Sequence, residues 1–296
     1  MADDNMDKSD SEIKSGEAEK KRRKKEKQKR RRQKKTAIMP DSNFIDAHNY
    51  IFHPFPHPLH PDELGDSGLM ELATSKTNLS EQYVIKRGDI YPEIAVNEFI
   101  YHKVAAVLDL YTQDVKLIKG NKDYQRSAAI RYMPNAQEFN LKESNEKNFK
   151  TFFEFEALFV ILNEDDSREY YLDDDGQMFK LDNAASFTVQ QSTIMLFDGN
   201  PTGQFFIPDI NAPLNAVGYD WYGIKYNEFM KKHGQTAVDS YLSLIQRFSE
   251  FDETILYEAY NDLEKQYPKA LCHYYDECIR IRKEICRKFL SEINGG

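Results

Sequence analysis

The chain has 296 residues, enough for one large domain or two modest ones with a sizeable core. Its formal charge of -9 joins two opposed parts. Residues 1–36 hold 15 of the 40 basic and 8 of the 49 acidic residues, a balance of +7, so the remainder stands at -16. No apolar run approaches the roughly 20 residues that cross a bilayer, and the start Met1-Ala2-Asp3-Asp4-Asn5 has neither the basic nor the apolar part of a secretory signal.

Lys20 to Lys35 is basic at 13 of 16 positions. Such a run repels itself and buries nothing, so residues 1–36 are expected to form a disordered tail. Its charge suits a polyanion, either nucleic acid or an anionic surface, and equally the acidic remainder of the chain. The absence of interleaved aromatics argues against base-specific recognition. Residues 37–68 are expected to be a Pro/His-rich linker. His53-Pro54-Phe55-Pro56-His57-Pro58-Leu59-His60-Pro61 reads as extended chain, because each proline fixes its own φ and restricts its predecessor. With His48, four imidazoles lie along this ribbon and do not converge as metal ligands must; docking of Phe55 and Leu59 on the folded body is the favoured reading.

A folded body is expected from residue 69 to 296. Leu72 to Leu79 and Gln82 to Arg87 read as strands around a polar turn, the second carrying Lys86 at its end. Pro92 suits the first position of a helix in which Val96, Phe99, Ile100, Val104, Val107 and Leu108 repeat at helical spacing, with Glu98 beside that face and able to pair with Lys86. Strands at Val115 to Ile118 and Ala128 to Arg131 lead to the turn Met133-Pro134-Asn135. An apolar helix, Phe152 to Leu162, then delivers the acids Glu164, Asp165 and Asp166. The turn Asp173 to Gly176 enters the short strand Met178 to Leu181, which ends in Asp182. An acid there is well placed for a metal ion, since the strand fixes its backbone while the carboxylate points past the sheet edge. The opposing reading is a pair of solvated acidic turns. Helices are expected at Tyr222 to Lys232, Ala237 to Phe248, Glu253 to Gln266 and Ala270 to Ile293. They carry all three cysteines, Cys272, Cys278 and Cys286, whose spacing fits neither a disulfide framework nor a zinc knuckle; this points to a reducing, cytoplasmic setting, or a nuclear one in a eukaryote. Strands first and helices last give an α+β, two-lobed arrangement, with a small strand-rich N-lobe to about residue 135 and a helical C-lobe beyond it.

The order strand-Lys86, Asn97-Glu98 helix, hinge, Asn163-x-Asp165 and Leu181-Asp182-Asn183 with Phe187 resembles the HipA-type serine/threonine kinases and the related phosphatidylinositol 3/4-kinase-like group. The resemblance covers about residues 69–190. It implies ATP and Mg²⁺, with Mn²⁺ as an alternative ion, and a protein substrate. It also implies Lys86 on the nucleotide phosphates, Glu98 as its helix partner, Asp165 as the catalytic acid and Asp182 on the metal. The adenine hinge would fall near Arg131 to Pro134, hence at Tyr132 and Met133. The family's Asn-x-Asp-x-His-x-x-Asn string reads Asn163-Glu164-Asp165-Asp166-Ser167-Arg168-Glu169-Tyr170 here, with serine for histidine and tyrosine for the second metal-binding asparagine. No glycine-rich phosphate loop is present, and Thr74-Ser75-Lys76-Thr77-Asn78 is the one candidate for its place. Two functions follow: an active kinase, or a pseudokinase that keeps the fold as a nucleotide-binding or scaffolding module.

Overall fold

A computed structural model describes residues 43–55, 70–87, 92–141, 144–162, 169–184, 186–188 and 226–295. The expectations for the tail, for His57, Leu59 and His60, and for the loop carrying Asp165 and Asp166 fall outside these residues. The compact unit runs from Asn43 to Gly296.

Strands β1 (Phe44–Asp46), β2 (Tyr50–Pro54), β3 (Met70–Ser75), β4 (Gln82–Lys86), β5 (Val115–Lys119) and β6 (Ala128–Arg131) build one sheet in the order β1-β5-β6-β4-β3-β2. The β1–β5 pair is parallel and every other neighbouring pair antiparallel. Three residues, Ala47–Asn49, join β1 to β2 although these are the two edges of the sheet. In a flat sheet, five strand spacings would part those edges by about 24 Å. Four peptide steps span at most about 14 Å. The sheet therefore curls until its edges approach. The alternate side chains Ile45, Tyr50, Ala73, Tyr83, Ile85 and Ile118 fill the inner face, where Phe52 stacks on Tyr124 with ring centroids 4.0 Å apart.

Two strands thus lie within residues 37–68, where composition suggests a linker. Pro54 ends an edge strand, where a missing N–H costs no ladder bond, and Tyr50 and Phe52 alternate inward despite the prolines that follow. Phe55 does dock: it is buried, meets Tyr132 edge-on at 5.4 Å, and its N–H donates to the Met70 carbonyl. Of the linker histidines, His48 contacts Asp46 and His53 is exposed, and no group of three metal-binding side chains occurs among the described residues.

Helix α1 (Pro92–Val107) packs on β5 and β6 and is covered from the far side by the C-terminal helices. Its apolar stripe is present as expected, yet Asn97, Glu98, Tyr101 and His102 are buried as well. A helix enclosed all round can hold polar side chains inside only if each finds a partner. Helix α2 (Glu146–Ile161) is capped by the Asn145 side chain, which accepts from the Asn148 N–H. A small antiparallel sheet follows, with β7 (Gln137–Glu138), β8 (Tyr170–Leu172) and β9 (Met178–Lys180) in that order. The chain ends in α3 (Tyr226–Glu250), α4 (Tyr257–Leu263) and α5 (Lys269–Gly295). The helices expected at Tyr222 to Lys232 and Ala237 to Phe248 are one: α3 runs through Gly234, because packing on α2 and α5 outweighs the ~1 kcal/mol that glycine costs in a helix. One hydrophobic cluster continues from β5 and β6 through α1 and α2 to α3 and α5. No helix among the described residues is long and apolar enough to cross a membrane.

Candidate functional site

Strand β4 pairs Lys86 with Met70 of β3 and Ala128 of β6, so Lys86 and Val84 share the outer face of the curled sheet, towards α1. There the Lys86 ammonium meets two carboxylates from distant parts of the chain: Glu98 of α1, and Asp182 just past β9 at 2.6 Å. The acids differ in setting, for the Glu98 side chain is 1% exposed and that of Asp182 is 39% exposed. Burial alone would raise the Glu98 carboxyl, but the Lys86 charge and the His102 contact hold it well below the usual carboxylate range. Burial would likewise lower Lys86, and the two carboxylates raise it instead. Lys86 and Glu98 are both charged at pH 7.

Asn183 fixes the next layer. Its N–H donates to Glu98 Oε1 at 3.0 Å, and its side-chain amide lies 3.5 Å from Glu98 Oε2 and 3.2 Å from His102 Nε2. His102 Nδ1 faces Thr112 Oγ1. Burial lowers the His102 pKa, with Glu98 opposing, so the ring is neutral at pH 7. Beside Glu98, Asn97 donates to the Ala184 carbonyl at 2.6 Å and accepts from the Tyr275 hydroxyl of α5. The Phe187 N–H returns to the Leu162 carbonyl at the end of α2. Helix α1, the 182–187 turn and α5 are thereby joined around one buried polar core.

Lys86, Glu98 and Asp182, distant in sequence, are thus in mutual reach, while Asp165 is outside the described residues. Tyr132 and Met133 directly follow β6. The Tyr132 N–H is committed to the Gln82 carbonyl at 2.9 Å, whereas the Met133 N–H donates to no group among the described residues. Tyr170 turns its side chain into the core. It opens β8 opposite Lys180, its ring packs on Phe152 in the core, and its hydroxyl donates to the buried Glu156 at 2.5 Å. The residue before it, Glu169, is exposed, and its carbonyl accepts from the Leu181 N–H, one position from Asp182. The turn containing Thr74 to Asn78 joins the far ends of β3 and β4, a strand's length from Lys86, and so is not at the centre. Instead, the connection from β2 to β3 leaves the sheet at the Lys86 end, since Pro54 pairs with Glu71 and Met70 with Lys86. A cavity of about 250 Å³ is lined by Arg131, Tyr132, Met133 and the Asp173 to Asp175 turn, but it does not reach Lys86, Glu98 or Asp182. Asn183 stood in the Leu181-Asp182-Asn183 string, whereas His102 and Lys180 carried no sequence signal of their own; helical spacing from Glu98 could have found His102.

No protein-family model matches the chain, and neither does any curated protein. Among solved structures, the chain is similar to the Helicobacter pylori proinflammatory kinase CtkA, at 12% identity, over 82% of this chain and 97% of that one, with a TM-score of 0.52. That similarity and the strand order agree: the chain has a kinase-like α+β fold.

Proposed function

We propose that the chain is an ATP-dependent kinase of the HipA-like type, transferring the γ-phosphoryl group to a Ser or Thr hydroxyl of a protein. The observation that carries this reading is the single ammonium of Lys86, held between a buried carboxylate, Glu98, and a half-open one, Asp182. A lysine oriented from behind in this way presents its charge to a phosphate, and the outer acid offers a hard oxygen to a divalent cation. The residues fit Mg²⁺-ATP: Asp182 engages Lys86 through Oδ1, which leaves Oδ2 for a cation.

The bound nucleotide supplies the transferable phosphoryl group, and its ion supplies charge that offsets the charge developing on the phosphoryl oxygens. Lys86 holds phosphate oxygens, while Glu98 keeps Lys86 extended and charged. With nucleotide bound, Val84 and its register partner Leu72 would lie over the base, and Tyr171, on the hairpin face opposite Tyr170, would lie beneath it. The Met133 N–H is the hinge donor to the base, a role Tyr132 cannot share. Asp165 takes up the proton of the acceptor hydroxyl.

The departures at Ser167 and Tyr170 favour the second reading, a nucleotide-binding pseudokinase. Tyr170 carries less weight than its sequence position suggests, because its side chain is in the core. One experiment separates the two: γ-labelled ATP with Mg²⁺ or Mn²⁺, the full chain, and generic protein acceptors. Transfer that disappears in Lys86→Met and Asp182→Ala supports the kinase. A nucleotide-induced rise in melting temperature without transfer supports the pseudokinase.

A further inference from the structure

We propose that a second lysine, Lys180, is a positioning residue for Asp182. This rests on the reading of Asp182 as the residue that takes the divalent ion. Lys180 ends β9, pointing away from the cleft, and is 1% exposed. Its ammonium donates to the Leu181 carbonyl, the Asp182 carbonyl and the Asn183 Oδ1, each at 3.1 Å. Among the described residues, this ammonium donates to three successive residues. The backbone it closes over is not an ordinary one: Asp182 has φ +51°, the left-handed region that a non-glycine residue adopts only when its surroundings impose it.

A buried ammonium is costly unless its donors are satisfied. Tyr101 and Phe159 place their rings 5.9 Å from the Lys180 nitrogen, so a leucine or methionine would fill the same space without that cost. What an aliphatic side chain cannot do is gather carbonyls 181 and 182 inward. Turning those carbonyls in leaves the Asp182 side chain and the Asn183 N–H on the other side, where they meet Lys86 and Glu98 respectively. Asn183 links the two halves, accepting from Lys180 and donating to Glu98. The order Lys180, Asn183, Glu98, Lys86 is a continuous buried chain that ties the aim of Asp182 to the position of α1. Lys86 therefore acts on the phosphates from the open side, and Lys180 acts through the backbone from the closed side.

The test uses the full-length protein and thermal shift by ATP, first in EDTA and then with Mg²⁺ titrated in. Lys180→Met should raise the Mg²⁺ concentration needed for half of the metal-dependent shift about 10-fold or more, as the loss of a residue supporting a metal ligand does. The shift by ATP in EDTA should stay within twofold of the parent's, since Lys86 and Glu98 are untouched. Lys180→Arg should recover part of the Mg²⁺ response. Asn183→Ala, which removes one of the three acceptors, should move it in the same direction by less, and serves if Lys180→Met fails to fold. A half-saturation unchanged in every foldable variant overturns the positioning role alone. So does an equal loss of the EDTA and Mg²⁺ responses, which marks general destabilisation. A parent protein with no Mg²⁺-ATP shift overturns the kinase reading and the positioning role together.

Discussion

Asp173 and Asp182 stand at the two ends of one short hairpin, nine residues apart, and in sequence both are acids at the edge of an apolar strand. Asp173 turns back on its own backbone and also accepts from the Tyr111 hydroxyl. Its Oδ1 accepts from the N–H groups of Asp175 and Gln177, which shapes the turn that Gly176 completes at φ +69°. Among the described residues, Asp182 finds nothing local for its carboxylate and meets a lysine 96 positions away. An acid bonded mainly to its own turn holds a loop; one that meets a lysine from another strand holds a site.

The largest expected effect follows from the second end. If the centre is catalytic, Asp182→Ala and Lys86→Met should each lower phosphoryl transfer on the order of 10²–10³-fold, while Asp173→Ala leaves it within twofold. Equal losses in Asp173→Ala and Asp182→Ala would dissolve the distinction. Next in size is Glu98→Gln, which leaves a buried ammonium without its enclosed counter-charge. Breaking such a pair costs about 3–5 kcal/mol, and calorimetry should show it as a fall in melting temperature even without nucleotide. A fall no larger than that of an exposed pair, such as Lys150–Glu146, would mean that Asp182 alone satisfies Lys86.

A third test uses pH. His102 has its pKa lowered by burial, so the unfolded chain binds a proton there before the folded one does. Stability should therefore fall as pH drops below about 6.5, by at most about 1.4 kcal/mol per pH unit from this group. Glu98, whose folded pKa is depressed, adds a loss of the same sign only below about 4.3. His102→Gln should flatten the melting temperature between these limits, and an unchanged profile would place the acid sensitivity elsewhere. Smaller still, Asp173→Ala should cost about 1 kcal/mol, the worth of its turn hydrogen bonds. Smallest of all, a chain starting at Ala37 should melt at the parent's temperature and lose only its salt-sensitive binding to polyanions such as heparin. A destabilised truncation would show that the basic tail supports the fold.

Much of the site was legible because its members sit where secondary structure ends or repeats: Lys86 closes an apolar strand, Glu98 follows a helical period, and Asp182 ends a hairpin. The rest was hidden for identifiable reasons. Strand β2 carries histidine and proline and β1 is only three residues long, so only their partners β3 and β5 make them strands. Tyr170 aligns with a metal ligand by position, but the two-residue period of β8 turns it towards Glu156. His233-Gly234 reads as a helix end, and only the packing of α2 and α5 carries α3 across it. Lys180 looks like one more surface lysine, because no pattern records that its strand is covered on that side.

The three-residue join between β1 and β2 has a further consequence. Open sheets expose unpaired N–H and C=O groups at their margins, which invite strands from other chains. Here the two margins are tethered within about 14 Å of each other, so neither presents a long, free ledge to a neighbour. Lengthening the Ala47–Asn49 connection would let the sheet unroll and would turn a solubility safeguard into a template for aggregation.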